Sequence, residues 1–263
     1  MGRFHRHDDG TVHSHDHGDG PHEHHHRHDR DDLVGDHSAY ATQVERIEVL
    51  ERIFDENDAA AAANRAAFDA VGVVAINVMS SPGAGKTSIL ERTLAALAPT
   101  VRCGVIEGDI ETSLDADRLD GLGAQISLLN TGQGFGGECH LDAPMVARAL
   151  RGLDLSTLDV VFIENVGNLV CPAEFDVGAH HRVIITSVTE GEDKPLKYPV
   201  MFRTVEVVVI NKMDLLGYLD FDLAAFEANI VAVNPHARII KVSARTGEGL
   251  DAWLAWVEGL LAA

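Results

Sequence analysis

The residues Ser80-Ser81-Pro82-Gly83-Ala84-Gly85-Lys86-Thr87 have the composition of a loop that holds phosphate. They fit the pattern G-x-x-x-x-G-K-[ST] except at the first position, where Ser80 replaces Gly. Small residues let backbone N–H groups converge on phosphate oxygens, and a helix starting after Gly85 adds the partial positive charge of its N-terminus. In this reading Gly83, Ala84 and Gly85 approach the phosphates through their backbone and Ser88 extends the cradle into the helix. Lys86 reaches the β- and γ-phosphates, and the Thr87 hydroxyl ligates Mg²⁺. Ser80 is costly if its position demands positive φ.

A second set of residues concerns the base. Asn211-Lys212-Met213-Asp214 follows an apolar run and fits N-K-x-D. The Asp214 carboxylate can accept from guanine N1–H and the N2 amino group, whereas adenine lacks that donor pair and leaves a carboxylate unpaired. Lys212 can lie along the base. Ser243-Ala244-Arg245 follows another run and is placed to offer a backbone N–H to the guanine oxygen. Between these sets, two β-rich runs end in Glu107-Gly108-Asp109 and Glu164-Asn165-Val166-Gly167. Asp109 and Glu164 are placed to hold Mg²⁺ directly or through water. The Gly167 N–H can sense a γ-phosphate, with Glu164 where D-x-x-G switches carry Asp. The plain alternative is that Glu107 and Glu164 only cap strand ends. The nucleotide expected is GTP or its product GDP.

Two of the three cysteines fall in the same region, Cys139 beside His140 and Cys171 beside Pro172. Thiolate and imidazole suit Zn²⁺ or Ni²⁺. One chain offers too few ligands for a closed site, and a symmetric pair of chains doubles the set. The alternative is two unpaired thiols and a surface histidine. Cys103 lies within an apolar run and reads as core. Eleven of the 15 histidines fall in residues 1–39, including His24-His25-His26. That stretch has almost nothing apolar to bury, so it reads as a disordered tail. Chelation of Ni²⁺ or Zn²⁺ suits its His and Asp content; a solvated low-complexity segment or a cloning tag is the alternative.

The elements that must position these residues are legible as alternation. Short runs rich in Val and Ile (Val73–Met79, Val101–Ile106, Gln125–Leu129, Val160–Ile163, Val183–Val188, Val205–Ile210, Ile239–Val242) alternate with helical patterns at Thr87–Leu97, Pro144–Leu150, Phe221–Val233 and Leu250–Leu261. This predicts an α/β fold, a mostly parallel sheet with helices on both faces, whose ligands sit at the carboxyl ends of strands. Residues 40–70 read as N-terminal helices, with Val44, Ile47, Leu50, Ile53 and Phe54 at helical steps, and 71–263 as the nucleotide-binding domain. With 46% apolar and 24% charged residues, the 263-residue chain reads as globular. A net charge of −20 argues against nucleic acid. No apolar run is long enough for a membrane helix and no secretory signal is evident, so a cytoplasmic location is expected.

Taken together, Ser81–Thr87, Glu107-Gly108-Asp109, Gly136-Gly137-Glu138-Cys139-His140-Leu141, Glu164–Pro172, Glu190–Pro199 and Asn211–Asp214 resemble the HypB-type GTPases of [NiFe] hydrogenase maturation. The similar urease accessory GTPases carry a Cys-Pro-His run that this sequence lacks. The resemblance covers about residues 40–263. It implies a P-loop GTPase fold of the signal-recognition-particle-like class and a homodimer in the GTP state. It also implies a Ni²⁺/Zn²⁺ site at the dimer interface from Cys139, His140 and Cys171. The implied partners are other hydrogenase maturation proteins and the hydrogenase large subunit. The N-terminal C-x-x-C-G-C nickel motif of some members is absent here, so the His-rich tail points to storage or buffering. Leu215 and Leu219 resemble a dimer contact or are ordinary packing, and Lys194 and Lys197 reach nucleotide phosphates or are solvated charges. Slow turnover is expected, since no glutamine or arginine finger is evident. Two other functions fit the same residues: metal storage with an incidental GTPase, and an accessory GTPase for another metalloenzyme such as urease.

Overall fold

The computed structural model describes the backbone of residues 4–6, 12–14, 43–109, 118–130 and 139–262, and side chains within 51–108, 118–129 and 139–262. In the N-terminal unit, β1 (Phe4–Arg6) and β2 (Val12–Ser14) pair antiparallel, His5 opposite His13. The rest of the expected tail, including His24, His25 and His26, lies outside the described residues.

All seven apolar runs are strands of one sheet: β3 (Val74–Ser80), β4 (Cys103–Asp109), β5 (Gln125–Asn130), β6 (Val160–Glu164), β7 (His181–Ser187), β8 (Val207–Asn211) and β9 (Arg238–Lys241). Their order is β5-β4-β6-β3-β7-β8-β9, with every neighbouring pair parallel. Successive strand residues face opposite sides, and both sides are apolar. From β3, Ile76 and Val78 join a cluster with Leu90, Leu94, Phe162 and Trp253. The alternate residue Ala75 joins Phe68, Ile106, Val161 and Ile163, and Met79 joins Ile184, Phe202, Val208 and Phe226.

The helices are α1 (Gln43–Asp69), α2 (Lys86–Leu97), α3 (Ala143–Leu150), α4 (Cys171–Glu174), α5 (Lys194–Lys197), α6 (Pro199–Arg203), α7 (Leu223–Val233) and α8 (Leu250–Leu261). One continuous helix, α1, occupies most of the 40–70 stretch. Ile53 is 45% exposed and Phe54 stacks on Phe175 at 5.3 Å. The helix docks through Phe68, fully buried in the second cluster, and through buried amides. Asn57 Nδ2 donates to Asp176 O at 2.9 Å while its Oδ1 accepts from Ala143 N at 2.9 Å. Asn64 donates to Ala143 O and Val177 O. Asp142 caps α3 through Met145 N, and Asp222 caps α7 through Ala225 N. Helix α2 begins instead after Gly85, with no side-chain cap. Its first-turn N–H groups, which every helix leaves without intrahelical partners, therefore face the carboxyl end of the sheet.

Three strands extend past their predicted carboxyl ends into the motif residues. Strand β4 runs through Glu107-Gly108-Asp109, and Glu164 and Asn211 are the last residues of β6 and β8. The backbone of residues expected on loops is thus held in the sheet's hydrogen-bonded register.

Candidate functional site

The carboxyl ends of β3, β4, β6, β8 and β9 gather the predicted residues. Gly85 has φ 99, and a Cβ there would lie 2.4 Å from Asn211 Nδ2; only glycine fits both the angle and the approach. Ser80 carries no strain, because it ends β3 in extended geometry and is fully buried. The cost expected of Ser at this position is therefore absent. Its hydroxyl accepts from Lys86 Nζ at 3.0 Å, holding that ammonium beside the loop. Gly167 packs against the loop: a Cβ there would meet Pro82 at 3.1 Å.

Asn211 organises the base end. Its Nδ2 donates to Ala84 O at 2.9 Å, and its Oδ1 accepts from Ala244 N at 3.1 Å. One side chain therefore ties the phosphate loop to the Ser243-Ala244 loop. Asp214 Oδ1 accepts from Ser243 Oγ at 2.6 Å, which fixes the carboxylate's direction. Lys212 is the one non-glycine at positive φ among the described residues, and its Nζ donates to Gly83 O at 2.7 Å. Gly85, Asn211, Lys212, Asp214 and Ala244, together with Ser88, Glu91, Arg92, Leu215 and Arg245, line a cavity of about 340 Å³. Sequence reasoning missed Arg92, whose guanidinium donates to Ala244 O at 2.9 Å and Arg245 O at 3.2 Å. Its signal, one cation on α2 facing a loop 152 residues away, exists only in three dimensions.

Glu107 and Glu164 are register partners on β4 and β6, and both are 2% exposed. Thr87 Oγ1 donates to Glu164 Oε1 at 2.8 Å. Hydroxyl and carboxylate oxygens at one strand end are the hard donor set that Mg²⁺ takes. Asp109 ends β4, and its side chain lies outside the described residues.

Cys139, His140 and Cys171 come together with all three ligand atoms within 4.8 Å of one another. Cys139 Sγ lies 2.9 Å from Cys171 Sγ and 3.8 Å from His140 Nδ1. Both thiols are free. The bond to Cys139 and, next, burial push the Cys171 thiol up from its ordinary value. The His140 ring packs on Phe175 at 4.3 Å. Gly136, Gly137 and Glu138 lie outside the described residues. Cys103 is buried in the core, as expected, and burial pushes its pKa up to about 12.

The two sites are bonded to each other. Asn165, fully buried, follows Glu164 at the end of β6. Its Oδ1 accepts from Val166 N and from Leu141 N, both at 2.9 Å. Leu141 is two residues from Cys139, and its side chain fills the space where a Cβ on Gly108 would sit, 2.8 Å away. Asn168 Nδ2 donates to Cys139 O at 3.2 Å. The Glu107–Asp109 and Glu164–Gly167 segments are thus each in direct contact with the segment that carries Cys139 and His140.

Lys194 pairs with Glu190, and Lys197 pairs with Asp193 at 2.6 Å. Leu215 packs against the third core cluster as well as facing the cavity, and Leu219 is 39% exposed. Among the described residues no helix is long and apolar enough to cross a membrane.

A parallel sheet with an uncapped glycine-led helix after its central strand, and with Asn, Asp and Ser-Ala at the neighbouring carboxyl ends, defines a P-loop nucleotide-binding protein of the GTPase type. Residues 74–241 match the family model "CobW/HypB/UreG, nucleotide-binding domain". The chain belongs to this family, and within it to the HypB proteins. It is 50% identical over 226 residues to the hydrogenase maturation factor HypB of Rhizobium leguminosarum bv. viciae, covering 86% of this chain and 74% of the relative. It is 48% identical over 224 residues to that of Escherichia coli K12, covering 85% and 76%. Among solved structures, HypB from Archaeoglobus fulgidus aligns with TM-score 0.73 at 38% identity, covering 79% of this chain and 99% of that one. HypB from Helicobacter pylori in complex with nickel aligns with TM-score 0.73 at 35% identity, covering 79% and 95%.

Proposed function

We propose that this chain is a GTP-hydrolysing nickel metallochaperone that delivers Ni²⁺ during [NiFe] hydrogenase maturation in the cytoplasm. The observation that carries the reading is the bonded path from Glu164 through Asn165 to Leu141 and the cysteine pair. It joins a nucleotide-binding end to a soft metal-ligand cluster.

Gly83, Ala84, Gly85 and Ser88 cradle the phosphates with backbone N–H groups, and Lys86 leaves the Ser80 hydroxyl to meet the β- and γ-phosphates. Asp214, aimed by Ser243, reads the guanine N1–H and N2 amino group, while the Asn211-positioned Ala244 backs the guanine oxygen. Thr87, Asp109, Glu107 and Glu164 are the oxygen donors for Mg²⁺, whose contribution when bound is to neutralise phosphate charge. Gly167, against Pro82, is close enough to the phosphate loop to register whether a γ-phosphate is present. Registration moves the Glu164–Gly167 segment, and Asn165 carries that movement to Cys139 and His140. The cargo, Ni²⁺ or Zn²⁺, is held by Cys139, His140 and Cys171. Three ligands from one chain leave a set that a second copy completes, so the GTP state is a homodimer. Hydrolysis relaxes the segments, loosens the dimer and releases the cargo to a hydrogenase maturation partner or the hydrogenase large subunit. Turnover is slow without such a partner.

The test is nickel titration of the full chain with GDP and with a non-hydrolysable GTP analogue. The nickel–thiolate charge-transfer absorption separates the cysteine site from the histidine tail. Tighter binding with the analogue, and loss of the band in Cys139→Ala, is the expected result. Equal affinity in both nucleotide states sinks the coupling.

A further inference from the structure

The end of β7 and the turn after it, residues 187–190, are bonded to both ends of the nucleotide site, and the reading above gives these four residues no role. Glu190 is the centre. Its side chain is 12% exposed, so its charge is poorly hydrated and must be met by protein groups. Ser187 N and Ser187 Oγ donate to Oε1 at 3.1 and 3.3 Å. Ser81 Oγ, within the phosphate loop, donates to Oε2 at 2.7 Å. Lys194, one helical turn further on and 17% exposed, pairs with the same oxygen. On the other side Val188 N donates to Asn211 O at 3.2 Å, and Lys212 Nζ lies 3.4 Å from Thr189 Oγ1.

A carboxylate one hydroxyl away from a phosphate loop repels the phosphates the loop exists to hold. Lys194 cancels that repulsion where it arises. We infer that Glu190 and Lys194 form a charge latch on the phosphate loop. Glu190 positions the loop through Ser81, and Lys194 neutralises Glu190 so that polyphosphate is admitted. This deepens the GTPase reading and rests on it. Both are positioning residues, and their charges set phosphate affinity in opposite directions.

The latch makes a prediction of sign that a plain structural brace does not. In Glu190→Gln the amide keeps an oxygen for Ser187 and an N–H₂ for Ser81, while Lys194 becomes an uncompensated cation beside the loop. GDP then binds more tightly. In Lys194→Met the carboxylate is uncompensated and GDP binds more weakly. At a few ångströms' remove, with an effective dielectric near that of a protein surface and partial screening, each change is about tenfold in Kd. The doubly neutral Glu190→Gln/Lys194→Met returns to within about twofold of wild type. This third variant also guards against Lys194→Met failing to fold, since it buries no unpaired charge. The experiment is a titration of all four full-length proteins with fluorescent GDP and GMP at low and high salt. Opposite shifts for the single variants, smaller for GMP than for GDP and compressed by salt, establish the latch. Weaker binding in both singles, or shifts equal for GMP and GDP, overturns it. Failure of the wild type itself to bind GDP overturns the GTPase reading instead.

Discussion

At Lys212 the backbone is held at φ 61, a conformation that costs an L-residue with a Cβ roughly 1–2 kcal/mol. The bond from its ammonium to Gly83 O offsets that cost, so the strain is tied to the junction of base and phosphate sites, where strain tends to collect. The cysteines show a comparable division by environment. Cys103 is buried among Val105, Val160 and Leu119, with its pKa at about 12, so it is essentially all thiol at neutral pH. Cys139 is exposed and Cys171 half-buried, and the thiolate is the form that alkylates. Native protein treated with iodoacetamide at pH 8 should therefore be modified first at Cys139, more slowly at Cys171, whose thiol is pushed up by its hydrogen bond with Cys139 and by burial, and spared at Cys103, while denatured protein is modified at all three. Peptide mass mapping checks this, and added nickel should protect the first two. Modification of Cys103 in the native protein would contradict its placement in the core.

The strands and long helices were readable in the sequence because their signal is local. Runs such as Val160–Ile163 and Val205–Ile210 can bury both faces only in a covered parallel sheet. Strand ends were less readable. Glu107 and Asp109 continue β4, because parallel pairing with β5, and for Glu107 also with β6, satisfies their backbone. Motif spacing similarly exposed Lys86, Thr87 and Asp214 but not Arg92, and it marked Glu190 only as the start of the Glu190–Pro199 segment with no role, because the partners of both are set by tertiary packing. Asn165 lies between these cases, legible as part of a motif but not as a connector. Its Oδ1 serves two buried N–H groups on different segments. Asn165→Ala leaves both without that acceptor, at about 1–3 kcal/mol each. For a domain of this size the midpoint of thermal unfolding should fall by on the order of 5–15 °C. Scanning calorimetry measures that. The same variant, at a temperature where it remains folded, should bind nickel with one affinity in GDP and GTP-analogue states. A variant that keeps the wild-type ratio between the two states shows that the coupling runs elsewhere.

Across the whole molecule, charge works against the assembly that the proposed function needs. Each chain carries a formal −20, of which −5 resides in residues 1–39. Bringing two such chains together costs self-repulsion, which is long-ranged at low ionic strength and screened within about 8 Å at physiological salt. The contacts that favour the dimer behave differently. Thiolate–metal bonds and apolar burial are short-ranged and little affected by added salt. The GTP-analogue dimer should therefore tighten as salt rises from about 20 to about 200 mM, the reverse of an interface built on opposite surface charges. Sedimentation equilibrium with and without nickel reads this directly. Deleting residues 1–39 removes 10 units of negative charge from a dimer of 40, so the truncated protein should dimerise more readily at low salt and show a flatter salt dependence. Dimerisation that weakens with salt in both proteins means that complementary charges dominate the interface. The metal bridge of Cys139, His140 and Cys171 would then be a passenger on that interface and not its cause.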